Sequence, residues 1–529
     1  MKYVLLVLML FSFVLAQEPD QDIIAYKFEL DLNDENDSIK GKALISIRPE
    51  KSCKEIRLDL VGTTPGEPTG MTVFEVQLDG KLTGFDHQND RLVIPISAAQ
   101  WGDTLHVAIR YAGIPADGLI ISKTKFGDRS FFGDNWPDRA QHWLPVEDHP
   151  ADKAFCEFIV TAPSHYQVVG NGALQEETDL ANGDRLTHWK STVPLPTKVM
   201  VIGAARFAVQ QLPDIQDIPL SSWVYPQNRE AGFFDYRQAD SILAFFIQNI
   251  GPYPYAKLAN VQSKTRYGGM ENASNIFYME GSVTGERKHE PLLAHEIAHQ
   301  WFGNSATEAD WPHIWLSEGF ATYFTHLYNE YTYGKDRMRV DMQKDKARIQ
   351  AFIKMAPNAT VVDTQTTELI RLLNPNSYEK GGWVLHMIRY EVGDEDFWKG
   401  IRTYYERFHL KNAITADLQQ VMEEVSGKEL GWLFQQWLYY PGIPEVGYEW
   451  KYNEASQSIL LELTQTQQAS TVFRLPIEVE VTWEDRKKQV KLVMDQPQQQ
   501  FTIKARQVPE SVSLDPEAWL LVDWRPARP

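Results

Sequence analysis

Cysteine is almost absent: Cys53 and Cys156 are the two in 529 residues, too few for a disulfide scaffold or a cysteine-ligated zinc site. One bridge between them and two buried thiols both remain open. No cluster of Lys and Arg stands out, and 52 basic residues against 71 acidic ones give a formal charge of -19. Such a chain repels phosphate backbones and anionic lipid, which excludes nucleic acid as a partner. After the N-terminus no hydrophobic run reaches the length of about 20 residues that a membrane span needs. With 32 glycines and 29 prolines the chain is neither collagen-like nor linker-like. It has no internal repeat, and its one biased stretch, the glutamine-rich 496–500, reads as a turn.

What remains is a globular composition, 43% hydrophobic and 23% charged, with length enough for about three domains. Residues 1–16 place Lys2 before an apolar stretch that ends at Ala16, ahead of the polar Gln17-Glu18-Pro19-Asp20. This reads as a cleavable export signal cut at Gln17, with Val14 and Ala16 as the small residues before the cut. The expected destination is a periplasm or the outside of the cell, with no stable membrane span once the signal is removed.

Three regions follow. Residues 17–207 alternate apolar and polar side chains in short runs such as Tyr26-Lys27-Phe28-Glu29-Leu30-Asp31-Leu32, the pattern of an antiparallel β domain. Residues 208–444 change period, and 239–249, 291–302, 315–331, 338–355, 381–392 and 396–408 read as helices. Alternation returns in 445–529, at 459–463, 477–482 and 490–494, as expected for a closing β-sandwich. The prolines Pro441 and Pro444 mark the boundary. The fold class is therefore multidomain α+β.

Inside the helical region stands Ala294-His295-Glu296-Ile297-Ala298-His299, on a segment opened by Pro291 and closed by Gly303. At about 100° per residue, His295 and His299 lie about 40° apart on one helix face and can reach one zinc ion. Glu296 lies beside that face, where it can take a proton from the attacking water. Such a His-Glu-x-x-His triplet arises by chance in about one chain in fifty of this length, so a third ligand must support it. Trp315-Leu316-Ser317-Glu318-Gly319-Phe320 supplies one: eighteen residues separate His299 from Glu318. Two imidazoles and a carboxylate leave zinc an open position, as in catalytic rather than structural sites.

The segments His295-Glu296-Ile297-Ala298-His299-Gln300-Trp301-Phe302-Gly303-Asn304 and Trp315-Leu316-Ser317-Glu318-Gly319 together resemble the zinc aminopeptidases of the membrane alanyl aminopeptidase family, which includes leukotriene A4 hydrolase and puromycin-sensitive aminopeptidase. The resemblance implies a thermolysin-like, mainly helical catalytic domain and one zinc ion held by His295, His299 and Glu318. It also implies that Gly268-Gly269-Met270-Glu271-Asn272 forms an edge strand of the substrate cleft, with Glu271 binding the free α-ammonium. Tyr378, before Glu379-Lys380-Gly381, matches the tyrosine that stabilises the oxyanion. The chain departs from the family pattern where Trp136 stands in place of a Gln or Glu that shares the ammonium, with Asn135 and Asp138 as substitutes, and where Ser317 replaces an Asn.

The reading is an exported zinc metalloaminopeptidase acting on peptides with a free N-terminus, Glu296 and Tyr378 being catalytic. A thermolysin-like endopeptidase and a catalytically silent peptide-binding protein are the alternatives. The sequence sets neither the preferred first side chain nor the oligomeric state.

Overall fold

The computed structural model describes residues 21–50, 53–467 and 471–526. The export-signal reading falls on residues 1–16, outside that set. Among the described residues no helix is long and apolar enough to cross a membrane.

The alternation near the N-terminus becomes the strand Gln21–Asp31, whose side chains are buried and half-exposed nearly in turn. It pairs antiparallel with Ile39–Pro49 and parallel with Lys153–Pro163, so the sheet has one parallel seam. A parallel partner needs a long crossover, here the intervening chain between Asp31 and Lys153. Nine strands form this sheet, and Tyr26, Phe28, Ile45, Ile109 and Val160 lie on its buried face. Cys156 is buried in the same sheet and is not bonded to Cys53.

The middle region opens with a sheet that the helical reading did not anticipate. Its five strands run in the order Ala208–Ile215, Ile218–Val224, Leu258–Ser263, Asn275–Met279 and Gly269–Met270. Every residue of Leu258–Ser263 is buried, so this strand shows none of the alternation that betrays a half-exposed one. The helices Ala239–Asn249, Trp315–Tyr333, Lys335–Met355, Gly381–Val392 and Asp394–Phe408 stand where their periodicity put them. Arg229–Tyr236, Thr415–Ser426 and Gly431–Leu438 are additional.

One helix is shorter than its sequence pattern. Glu290–Ala298 stops at His299, and the next amides, those of Gln300 and Trp301, bond back three residues instead of four. His299 keeps helical dihedrals at φ -57° and ψ -25°, so its one-turn relation to His295 survives.

The chain closes with a four-stranded and a three-stranded sheet that bury Ile459, Leu461, Ile477, Val479 and Ile503 between them. The stretch read as a glutamine turn is partly strand: Gln498, Gln499 and Gln500 pair with Thr464, Leu463 and Glu462. Glutamine is a neutral occupant of a solvent-facing pleat, so composition misled there. This β-rich region docks on the helices through Trp519, whose ring stacks 4.5 Å from that of His386. Tyr323 Oη donates to His386 Nδ1 at 3.0 Å, and His386 Nε2 donates to the carbonyl of Ala518 at 3.2 Å, which fixes a neutral tautomer.

Burial, aided by the nearby Arg389 guanidinium, lowers the His386 pKa to about 3. An unfolded histidine titrates near 6.5, so the unfolded chain binds a proton that the folded one refuses, and stability is lost as pH falls from about 6.5 toward 3. Asp515 in the same junction is raised to about 6 by burial and works in the opposite direction below that pH. Replacing His386 with Gln leaves Asp515 in place. The melting temperature of the variant relative to wild type is therefore expected to rise steadily from pH 7 to pH 4; a constant difference would show that His386 is not held neutral.

Candidate metal centre and substrate cleft

Three donors converge between two helices. His295 Nε2 and His299 Nε2 lie 3.1 Å apart, and Glu318 Oε2 is 3.4 Å and 3.2 Å from them. Two donors on one tetrahedral zinc, each about 2.1 Å from it, stand about 3.4 Å apart, so the donor set fits that ion. Glu318 Oε2 is also buried, with these two imidazoles as its close polar neighbours, the surroundings of an oxygen built to meet a cation.

The packing explains how these side chains are held. His299 Nδ1 lies 3.1 Å from the Phe302 carbonyl and 3.1 Å from Ser317 Oγ, which turns Nε2 toward the centre. Gly303 has φ +109°, and a Cβ there would meet Ser317 Oγ at 2.1 Å. Glu318 is brought in because Trp315–Tyr333 runs against Gly381–Val392 with little between them: a Cβ on Gly319 would stand 2.8 Å from the Gly381 backbone. The residues before that second helix, Asn376–Lys380, form a wide turn in which Lys380 N bonds to Pro375 O at 2.8 Å. This turn carries Tyr378, whose ring lies parallel to that of His295 with centroids 6.0 Å apart.

Gly269–Met270 is the edge strand of the five-stranded sheet, paired on one side with Asn275–Met279. Its other edge faces an open cavity lined by Trp136, Tyr267, Gly269, Met270, Glu271, His295, Glu296, His299, Glu318, Leu373 and Tyr378. Gly268 adjoins this strand and accepts from Met279 N at 3.0 Å. The structure thus gathers Glu271, Glu296, Tyr378 and the three metal-ligand candidates at one cavity. Asn272 is fully buried behind it. Trp136 also lines the cavity, whereas Asn135 does not: its side chain is spent on the carbonyls of Thr197 and Met200 and on Trp143 Nε1. Asp138 is absent from the lining too.

Charge dominates the site. Glu271 and Glu296 each bring a carboxylate oxygen within 4.8 Å of a ring nitrogen of His299. Burial, with Glu271 and Glu318 close by, pushes the Glu296 carboxyl well up. Burial acts against charge at Glu318 and His299 as well, but their contact overrides it, holding Glu318 below the ordinary carboxylate range and raising His299 to about 10. A metal ion at this position would replace that proton. Burial beside Glu318 keeps the Tyr378 phenol protonated.

Sequence reasoning passed over two residues in the motif it quoted. Gln300 Nε2 and Asn304 Nδ2 donate to the Glu271 carbonyl at 2.7 Å and 2.6 Å. Their signal was a pair of amides at a helix end that otherwise reads as apolar.

A β domain, a helical domain with a two-histidine, one-carboxylate centre and an open strand edge beside it define a metallopeptidase architecture. Residues 23–199 match the peptidase M1 N-terminal domain and residues 234–437 the peptidase family M1 domain. The chain belongs to peptidase family M1. It is similar to glutamyl aminopeptidase of Rattus norvegicus, 26% identical over 62% of this chain and 36% of that protein. It is likewise 26% identical to leucyl aminopeptidase of Saccharolobus solfataricus, over 79% of this chain and 51% of that one. The chain thus spans between a third and about half the length of these curated relatives. A crystal structure of Legionella pneumophila aminopeptidase A in complex with aspartic acid superposes with a TM-score of 0.84 at 17% identity, covering 96% of this chain and 60% of that one. A mutant M1 zinc metallopeptidase from Deinococcus radiodurans gives 0.68 at 22% identity, covering 80% of this chain and 96% of that one. At those identities the two structures speak for the fold.

A Cβ on Gly269 would stand 2.3 Å from Glu296 Oε1. Gly269→Ala is therefore expected to displace the Glu296 carboxylate and to lower kcat/KM by about a hundredfold, as misplacement of about 1 Å can, with the zinc content unchanged. Full activity in that variant would mean that Glu296 is not held where the reaction needs it.

Proposed function

We propose that the protein is an exported zinc aminopeptidase that removes the N-terminal residue from peptides. The observation that carries the reading is a buried Glu271 carboxylate, with Oε1 unpartnered, in the same small cavity as His295, His299 and Glu318. One zinc ion would be held by those three residues. When bound it polarises the scissile carbonyl and eases deprotonation of water.

The chain's own residues supply the remaining steps. Glu296 takes the proton of the attacking water and passes it to the leaving amine. Tyr378, kept protonated by burial, donates to the developing oxyanion. The free edge of Gly269–Met270, with Gly268, pairs with the extended substrate backbone, and Glu271 anchors the α-ammonium. A carboxylate this close to the metal ligands leaves room for one residue, which favours the first peptide bond over an internal one and argues against the endopeptidase alternative.

The uncharged walls of the cavity are Trp136, Tyr267, Met270 and Leu373, and among the described residues no Lys or Arg lines it. The guanidinium groups just outside are committed: Arg139 to Asp134 at 2.7 Å and Arg266 to Asp117 at 3.0 Å. An acidic first side chain would add to three carboxylates already present. We therefore assign a neutral, apolar first residue, in contrast to the substrate that the name of the rat glutamyl aminopeptidase carries.

A panel of free and N-acetylated aminoacyl anilides tests these assignments together, with a chelator and zinc add-back. Chelator-sensitive cleavage of the free forms alone is expected, with leucyl favoured over glutamyl by about tenfold or more. Glu296→Gln should lose about a hundredfold or more in kcat with its zinc retained. Equal cleavage of acetylated substrates would sink the role of Glu271, a preference for glutamyl would sink the pocket assignment, and an active Glu296→Gln variant would sink the mechanism. Export rests on the apolar stretch at 3–15; N-terminal sequencing of the mature protein should begin at Gln17, and a retained Met1 would refute it.

A further inference from the structure

The anchor Glu271 opens a tight turn in which Asn275 N bonds to Asn272 O at 2.9 Å and Ser274 takes a left-handed φ of +65°. Side chains from outside the turn hold its backbone. Asn171 Nδ2 donates to Ala273 O at 2.7 Å, and the buried Lys257 ammonium donates to Ser274 O at 3.3 Å. Asn304 Nδ2 reaches Glu271 O. Gln300, fully buried, uses both ends of its amide: Nε2 donates to Glu271 O at 2.7 Å and Oε1 accepts from Ser274 N at 2.9 Å.

Gln300 directly follows the metal-ligand candidate His299, so its two bonds tie the anchor turn to the segment that holds the metal. Both a donor and an acceptor are in use, so neither an apolar residue nor a carboxylate of the same size reproduces the pair. We propose that Gln300 is a positioning residue that fixes the separation between the metal ligands and Glu271, and thereby sets the register in which the first peptide bond is selected. This rests on the reading of Glu271 as the ammonium anchor. Gln300 touches neither the metal donors nor the cavity; its two short bonds go to the turn, and two longer ones, from Nε2 to the Glu296 carbonyl and from Tyr253 Oη to Oε1, both at 3.4 Å, hold the amide in place.

The decisive measurement is a ratio of inhibition constants for an α-aminothiol and the same thiol without its amine. The thiol reports the metal and the amine reports the anchor. Gln300→Met keeps the volume and removes both bonds to the turn together with the two longer contacts to Tyr253 and the Glu296 carbonyl. It should retain one zinc per chain and unchanged affinity for the plain thiol while losing about 10- to 100-fold for the aminothiol, the scale of a small misplacement. Combined with Glu271→Ala it should add little to that variant's own loss, because both remove the same contact. Equal weakening of both thiols, as a purely structural role would give, overturns the proposal, and so does an unchanged ratio. Should Gln300→Met not fold, Gln300→Glu, which keeps the size and the acceptor, is judged by the same ratio. A wild type that does not distinguish the two thiols would instead remove the anchor reading of Glu271.

Discussion

Three buried carboxylates, those of Glu271, Glu296 and Glu318, surround two imidazoles, and among the described residues no Lys or Arg lines the cavity that they share. Burying unpaired charge is expensive, so such a site favours the entry of cations. The proposed function supplies two: a metal between His295, His299 and Glu318, and an amine at Glu271. The fold meets the cost with pKa shifts, pushing Glu296 up by burial and letting Glu318 and His299 share their charge. The chemistry proposed for Glu296 draws on that same crowding, because a base that is uneasy as an anion is a base that accepts and returns a proton.

The crowding is possible because side chains are missing where backbones must meet. Gly269 lies under Glu296, Gly303 under Ser317, and Gly319 against Gly381; at each, an added Cβ would come within 3.0 Å of its neighbour. These contacts set the depth of the site, while amide side chains set its spacing. Gln300 and Asn304 do for the anchor turn what a sheet ladder does elsewhere, giving partners to buried backbone groups that would otherwise have none.

What the sequence could show followed from local spacing. His295 and His299 are legible because one helical turn brings them together, and Glu318 because a second helix follows at a fixed distance. Glu271 follows a two-residue edge strand and Tyr378 sits on a wide turn, where no periodicity announces a functional side chain, and resemblance alone pointed to them. The five-stranded sheet was invisible for a related reason: Leu258–Ser263, buried on both faces, lacks the alternation by which a strand is recognised. Gln300 and Asn304 were quoted within a motif without a role, since their partners lie about 30 residues away in the chain and only folding brings them into reach.

The N-terminal β domain belongs to the same account. The loop after the helix of His295 and the turn after Glu271 both present buried acceptors, and this domain supplies several of the donors. Lys198 pairs with Glu308 at a site where both are almost wholly buried. Lys153 Nζ donates to the carbonyls of Ser305 and Lys411 at 2.7 Å and 2.9 Å, and Asn171 reaches Ala273. A buried ion pair adds little net stability over an apolar pair, yet losing one partner is costly, so its main effect is to enforce one arrangement of the surfaces that it joins. With Trp136 of the same domain in the cavity wall, the cleft is a property of the two domains together. The helical domain carries the candidate ligands, but the turn after Glu271 and the loop after His299 keep their shape through groups of both domains, Gln300, Asn304 and Lys257 from the helical one and Asn171, Lys153 and Lys198 from the β domain.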